Sequence, residues 1–190
     1  MKKLFLIILT IISLIAVTLI GTVSAFSTEI IVDNNDIIVT TEELNYLEDK
    51  PATADDIIKY VNEKYNDSIT SGQSIIIPLE VFDAFSCDLL GCVQPYSVST
   101  CPPYESRTGE AKSIQNGQSM VITAAWTPNT SQVFLGIIDA NVGYRVIAIA
   151  SNVPYFQQAY VSTSDTVIAL NIYNNSDVTI SYEMVIDRGI

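Results

Sequence analysis

Three patterns of hydrophobic and polar residues succeed one another along the 190 residues. Residues 4–20 are uncharged and mostly apolar, and they follow Lys2 and Lys3. Val23-Ser24-Ala25 then places small or compact residues at positions −3 and −1, so residues 1–25 read as an export signal cleaved after Ala25. The competing reading is an uncleaved N-terminal anchor, for which the 17-residue run stands at the lower limit of a bilayer span. Further on, Ala54, Ile57, Ile58, Val61 and Tyr65 recur at helical spacing, with Asp55, Asp56, Lys59, Asn62 and Glu63 on the other face. Thr53-Ala54-Asp55-Asp56 supplies a capping box, so a helix is predicted from Ala54 to Lys64. Thr40-Thr41-Glu42-Glu43 repeats the device ahead of a short helical turn over residues 44–47, which Pro51 ends. Before it, two apolar runs, Ile30-Ile31-Val32 and Ile37-Ile38-Val39, flank Asp33-Asn34-Asn35-Asp36 and predict a small hairpin or two extended arms.

From Gly72 the pattern becomes that of strands. Strands are predicted over residues 74–82, 119–126, 133–138, 144–150, 155–162, 166–173 and 179–186, separated by turn signals such as Pro128-Asn129, Ser164-Asp165 and Asn174-Asn175. Val178, Ile180, Tyr182, Met184 and Ile186 alternate with Thr179, Ser181, Glu183, Val185 and Asp187, which means one buried and one wet face. The expected fold is mainly β, an antiparallel sandwich of jelly-roll or immunoglobulin-like type with a short N-terminal helical appendage. Residues 26–70 form the acidic, partly helical segment and 71–190 the sandwich, with its core in 117–190 and an irregular loop over 84–110. Ser71-Gly72-Gln73-Ser74 and Asn116-Gly117-Gln118-Ser119 resemble each other, which shared turn chemistry accounts for.

Charge narrows the function. After removal of residues 1–25 the net charge is −14, of which residues 26–116 carry −11 and residues 117–190 carry −3, a step near Gly117. Scarce, scattered Lys and Arg exclude a nucleic-acid binder, which needs clustered cations for phosphates. With no histidine there is no His-based catalytic unit and no His-ligated metal, and no cofactor or catalytic residue is assigned. The acidic segment is either a docked appendage or a pro-region removed after export.

The individual candidates are few. Cys87, Cys92 and Cys101 lie in the long loop, and an exported chain makes one structural disulfide the expectation. Pairing Cys87 with Cys101 would close a 15-residue loop. Such a closure contributes about 3 kcal/mol, and Cys87 with Cys92 less. Asp139-Ala140-Asn141-Val142-Gly143 has oxygen ligands at alternate positions but lacks the later glutamate of a calcium loop, and reads as a hairpin turn. Glu80 and Asp83 are the nearest carboxylate pair, but on an extended strand they point to opposite faces, which argues against glycosidase chemistry. Tyr144, Tyr155, Phe156 and Tyr160 are the candidate ligand-contact aromatics, set against the ordinary role of aromatics, Trp126 included, in a sandwich core.

Gly117-Gln118-Ser119, Trp126-Thr127-Pro128, Gly136 in an apolar strand, and Asn171-Ile172-Tyr173-Asn174-Asn175-Ser176 followed by a last strand ending at Gly189 give residues 115–190 a family likeness. This part resembles a small β-sandwich domain of secreted proteins of Gram-positive bacteria, found alone after a signal peptide or appended to membrane-embedded peptidase-like sensors. The resemblance implies a fold and an extracellular address, and no functional residue. The expected function is non-enzymatic binding of a glycan or protein ligand at or outside the cell surface. The alternative is a secreted pro-protein whose acidic leader precedes a β-rich antimicrobial or toxin-like effector.

Overall fold

The computed structural model describes residues 35–90 and 99–188. The expected export signal with its cleavage point after Ala25, and Asp33 and Cys92, lie outside them.

The helical pattern folds as its spacing predicts. Strand β1 (Ile37–Ile38) leads into α1 (Thr41–Asn45), capped where the Glu43 amide donates to Thr40 Oγ1 at 3.3 Å. Helix α2 (Ala54–Lys64) starts in a complete capping box: Asp56 N donates to Thr53 Oγ1 at 3.2 Å, and Thr53 N donates to Asp56 Oδ2 at 2.8 Å. A short α3 (Asn66–Thr70) and β2 (Ile75–Pro78) follow. The strand expected over residues 74–82 stops at Pro78, and Leu79–Ala84 form helix α4 instead. Proline has no N–H to continue a ladder, and its fixed φ suits the entry to a helix. Of the expected hairpin, the second arm is β1, which lies parallel beside β2 with Ile37 opposite Ile75; the first arm lies outside the described residues.

The segment expected to be an irregular Cys-bearing loop contributes two strands, β3 (Ser99–Cys101) and β4 (Ser106–Thr108), and β5 (Lys112–Ile114) comes next. Each is three residues long and is ordered by a longer neighbour, so no local periodicity announces it. The long strands are β6 (Ser119–Thr127), β7 (Val133–Asp139), β8 (Gly143–Ala150), β9 (Phe156–Val161), β10 (Thr166–Asn174) and β11 (Ile180–Arg188). The first sheet runs β1-β2-β8-β7-β10-β4, with β5 also on β10; the second runs β3-β11-β6-β9. Apart from β1 on β2, every pairing is antiparallel, and the two sheets pack face to face as a β-sandwich.

Burial explains why some strands alternate and others do not. In β6 and β11 one side faces the partner sheet, through Met120, Ile122, Ala124 and Trp126 and through Ile180, Tyr182 and Ile186, while the other side is half-buried or exposed. In β10, Ile168, Leu170 and Ile172 face the second sheet, while Ala169 and Tyr173 face the helices, so both sides are apolar. The helices thus form a third layer on the first sheet. Val39, Leu44, Ile57, Ile58, Val61 and Ile69 share one buried cluster with Phe134, Ile138, Tyr144 and Tyr173. Much of the core therefore lies outside residues 117–190. Gly117, where the charge step falls, is a turn with φ of 77° between β5 and β6, both strands of the sandwich.

Candidate functional site

Polar chemistry collects where α2 crosses the first sheet. Asp55, in the first turn of α2, aims Oδ1 at β4 and β10, where it accepts from Thr108 Oγ1 at 2.8 Å and Asn171 Nδ2 at 3.2 Å. Asn171 is fully buried; its Nδ2 also lies 2.8 Å from Ser106 Oγ, and that hydroxyl can donate to Asn171 Oδ1 at 3.1 Å. Burial pushes the Asp55 carboxyl above its ordinary range, against the opposing pull of the Thr108 hydroxyl and the Arg107 charge. Beside it Lys59 meets Glu105 at 2.6 Å, and Glu105 lies 3.6 Å from Arg107. Those ion pairs are about one-third exposed and contribute little. Deeper in the same cluster, Tyr144 lies fully buried next to Asn62, and burial raises its phenol. The arrangement ties a helix to a sheet. The donors around the Asp55 carboxylate all come from β4 and β10, so the network is a fastening between layers.

The residues singled out by sequence lie apart. Tyr144 is interior, beneath the helices on β8. Tyr160 and Phe156 on β9 turn toward the space between the sheets, where the Tyr160 hydroxyl donates to Asp139 Oδ2 at 3.4 Å. Only Tyr155 stands out, at 55% exposure, and the four do not form one platform. Trp126 packs in the inter-sheet core with Nε1 donating to Ser131 O at 3.1 Å. Glu80 and Asp83 sit on α4 rather than on a strand, so they share a helical side, and both are exposed. The 139–143 segment is the β7–β8 turn: Asp139 Oδ1 accepts from Asn141 N at 2.9 Å and Thr166 Oγ1 at 2.7 Å.

The expected Cys87–Cys101 bridge is not made. Cys101 lies on β3 in the inter-sheet core, its thiol donating to Glu105 O at 3.1 Å, whereas Cys87 belongs to the cluster beneath the helices. The two cysteines are held on different layers, so closing the loop between them would require the sheets to rearrange. Burial pushes the Cys101 thiol up to about 11. Native protein at pH 8 should therefore leave Cys101 unlabelled by iodoacetamide for hours, and denatured protein should label it at once; peptide mass spectrometry of the alkylated cysteine reads the difference.

The surface the fold leaves open is the outer face of the second sheet. Ser119, Val121, Thr123 and Ala125 of β6 point outward, flanked by Gln157 and Ala159 of β9 and by Ser181, Glu183 and Val185 of β11. No buried cluster forms on it among the described residues. Most of its side chains are small, β6, β9 and β11 turn no aromatic outward, and β6 and β9 carry no charged residue; Tyr155, exposed just ahead of β9, stands at its border. Sequence reasoning passed over this face because Ser, Thr, Ala and Val on a strand look like ordinary solvent-side residues. Its signal is the absence of Asp, Glu, Lys and Arg from residues 146–164 in so acidic a chain.

No family model matches the chain, and no curated protein matches it.

Proposed function

We propose that this protein is an exported binding module that acts at or outside the cell surface by contact rather than catalysis, and that its ligand is a protein held against the outer face of the second sheet. The observation that carries the reading is the asymmetry of the sandwich: helices cover one outer face, while among the described residues nothing covers the other, which is poor in charge. A broad flat face of small residues suits a protein surface. A glycan reading draws less support, since Tyr144 and Tyr160 are buried and the strands of this face turn no aromatic outward, which leaves Tyr155 alone at its border. The resemblance of residues 115–190 to secreted Gram-positive sandwiches, and the export signal in residues 1–25, agree with the address. Against the effector alternative stands the packing of the acidic segment: cutting it away would uncover Phe134, Tyr144 and Tyr173, which are buried beneath it.

The test uses purified residues 26–190, fluorescently labelled, on intact producer cells. Binding should saturate, vanish after surface proteolysis, survive periodate oxidation of glycans, and weaken at least tenfold in Thr123→Glu. Binding abolished by periodate but not by protease would overturn the protein-ligand reading. A secreted product beginning between residues 69 and 114 would transfer the function to the effector alternative.

A further inference from the structure

Among the described residues, the strand edges that border the two sheets are blunted, with one exception. β1 is two residues long. β3 is three residues long and runs into Pro102-Pro103. β4 and β5 are three residues each and lie among Glu105, Arg107, Glu110 and Lys112. Shortness, proline and charge are the devices by which proteins keep sheet edges from pairing with other chains.

Strand β9 has none of them. It is the end strand of the second sheet, six residues long, and reads Phe-Gln-Gln-Ala-Tyr-Val, with neither charge nor proline. Among the described residues only β6 pairs with it. Both ends of the strand are held by turns: Gly117 N donates to Ser162 O at 2.7 Å, and Pro154 precedes the strand. The neighbouring free stretch of β8 is different, because the β7–β8 register slips at Leu135/Gly136, and a bulge turns an edge away.

Resting on the contact reading above, we infer that the open edge of β9 pairs antiparallel with β9 of a second copy, joining two four-stranded sheets into one continuous eight-stranded sheet. Charge selects this occupant. Each copy carries a net charge of −12 or more negative, so two copies meet without carboxylate repulsion only along a strip free of charge. Residues 146–164, which include all of β9, form such a strip. A cationic partner would gain nothing there over the acidic surface elsewhere. A two-fold axis normal to the sheet keeps both bare faces on one side, so that Gln157 and Ala159 of one copy lie beside the same residues of the other.

The experiment is sedimentation equilibrium of residues 26–190 over a range of concentrations. The wild-type chain should approach twice its own mass, and its amides over residues 156–161 should slow in hydrogen exchange as the dimer fills. Ala159→Lys and Ala159→Glu, each on an exposed outward position, should each raise the dimer dissociation constant at least tenfold, with thermal midpoints equal to wild type at concentrations where both are monomeric. An equimolar mixture of the two should restore association, because opposite charges then face each other across the axis. Thr100→Lys, exposed on the opposite edge, should change nothing. A monomeric wild-type chain, or a dimer indifferent to Ala159→Lys, overturns the pairing. Cell binding that still depends on Thr123 in a monomeric chain would leave the contact reading standing while the pairing fell, and loss of that binding with dimerisation intact would do the reverse.

Discussion

Asn171→Leu should lower the stability of the protein by about 3 kcal/mol, the scale of leaving buried polar partners unmatched. The substitution keeps the branched shape, with bulkier ends, and removes both the Nδ2 donor to Asp55 and the Oδ1 acceptor facing Ser106. The half-buried carboxylate would retain its bond from Thr108 but lose the donor at the sheet centre. Urea unfolding followed through the single tryptophan, which lies between the sheets, measures the loss. Asp55→Asn behaves differently, because an amide oxygen still accepts from Thr108 and no charge is buried. The wild-type carboxyl titrates above its ordinary range in the folded state, so the native chain holds that proton more tightly than the unfolded chain does. Its contribution is therefore greatest below the unfolded value of 3.8 and declines as pH rises through the raised folded value. In Asp55→Asn that decline should disappear, with stability at neutral pH equal to or above wild type. A variant as pH-sensitive as wild type over that window would show that Asp55 is not the group responsible. Asn171→Leu should cost less in the Asp55→Asn background than in the wild type, since no charge then loses its donor.

A single methyl group should do comparable damage on β7. Gly136 lies opposite Asn171, and a Cβ there would overlap the Tyr144 ring at Cε2, Cζ and the hydroxyl. Tyr144 is fully buried beneath the helices, so its ring cannot swing out of the way. Gly136→Ala should cost about 3 kcal/mol, at the upper end for overpacking. Trimming the obstacle tests the cause: Tyr144→Leu in the Gly136→Ala background should recover part of the loss, although Tyr144→Leu alone destabilises. Additive losses in the double variant would mean that Gly136 is required for some other reason. Among the described residues no hydrogen bond of good geometry reaches the Tyr144 hydroxyl, although Asn62 lies beside it, so Tyr144→Phe should be tolerated.

The helical layer and the long strands were readable because each carries its own periodic signal. Thr53 and Asp56 mark the start of α2, and the strict alternation of β11 reports a strand with one wet side. The nearly continuous apolar runs of β7 and β10 belong to strands buried on both sides, and the covering layer that explains them comes from a distant part of the chain. β3 and β4 escaped notice because three residues cannot express a period. The apolar run across Pro78 reads as one strand through residue 82, whereas the proline ends one element and starts another. The fastening between Asp55 and Asn171 was invisible for a different reason: its members are separated by 116 positions, and an asparagine within a strand resembles a turn residue until its partner is placed. The bare face was equally silent, since a strand side that meets nothing is defined by what the other layers leave uncovered.

The bond from Asn171 to Asp55 also sets an order of events. A chain that leaves a ribosome or a membrane pore N-terminus first presents Leu44, Ile57, Ile58 and Val61 long before the strands they pack against, β7 and β10, have emerged. The helical layer cannot complete its core by itself, and contacts of such long sequence range are slow to form. The helical layer therefore completes its core only when the last strands arrive.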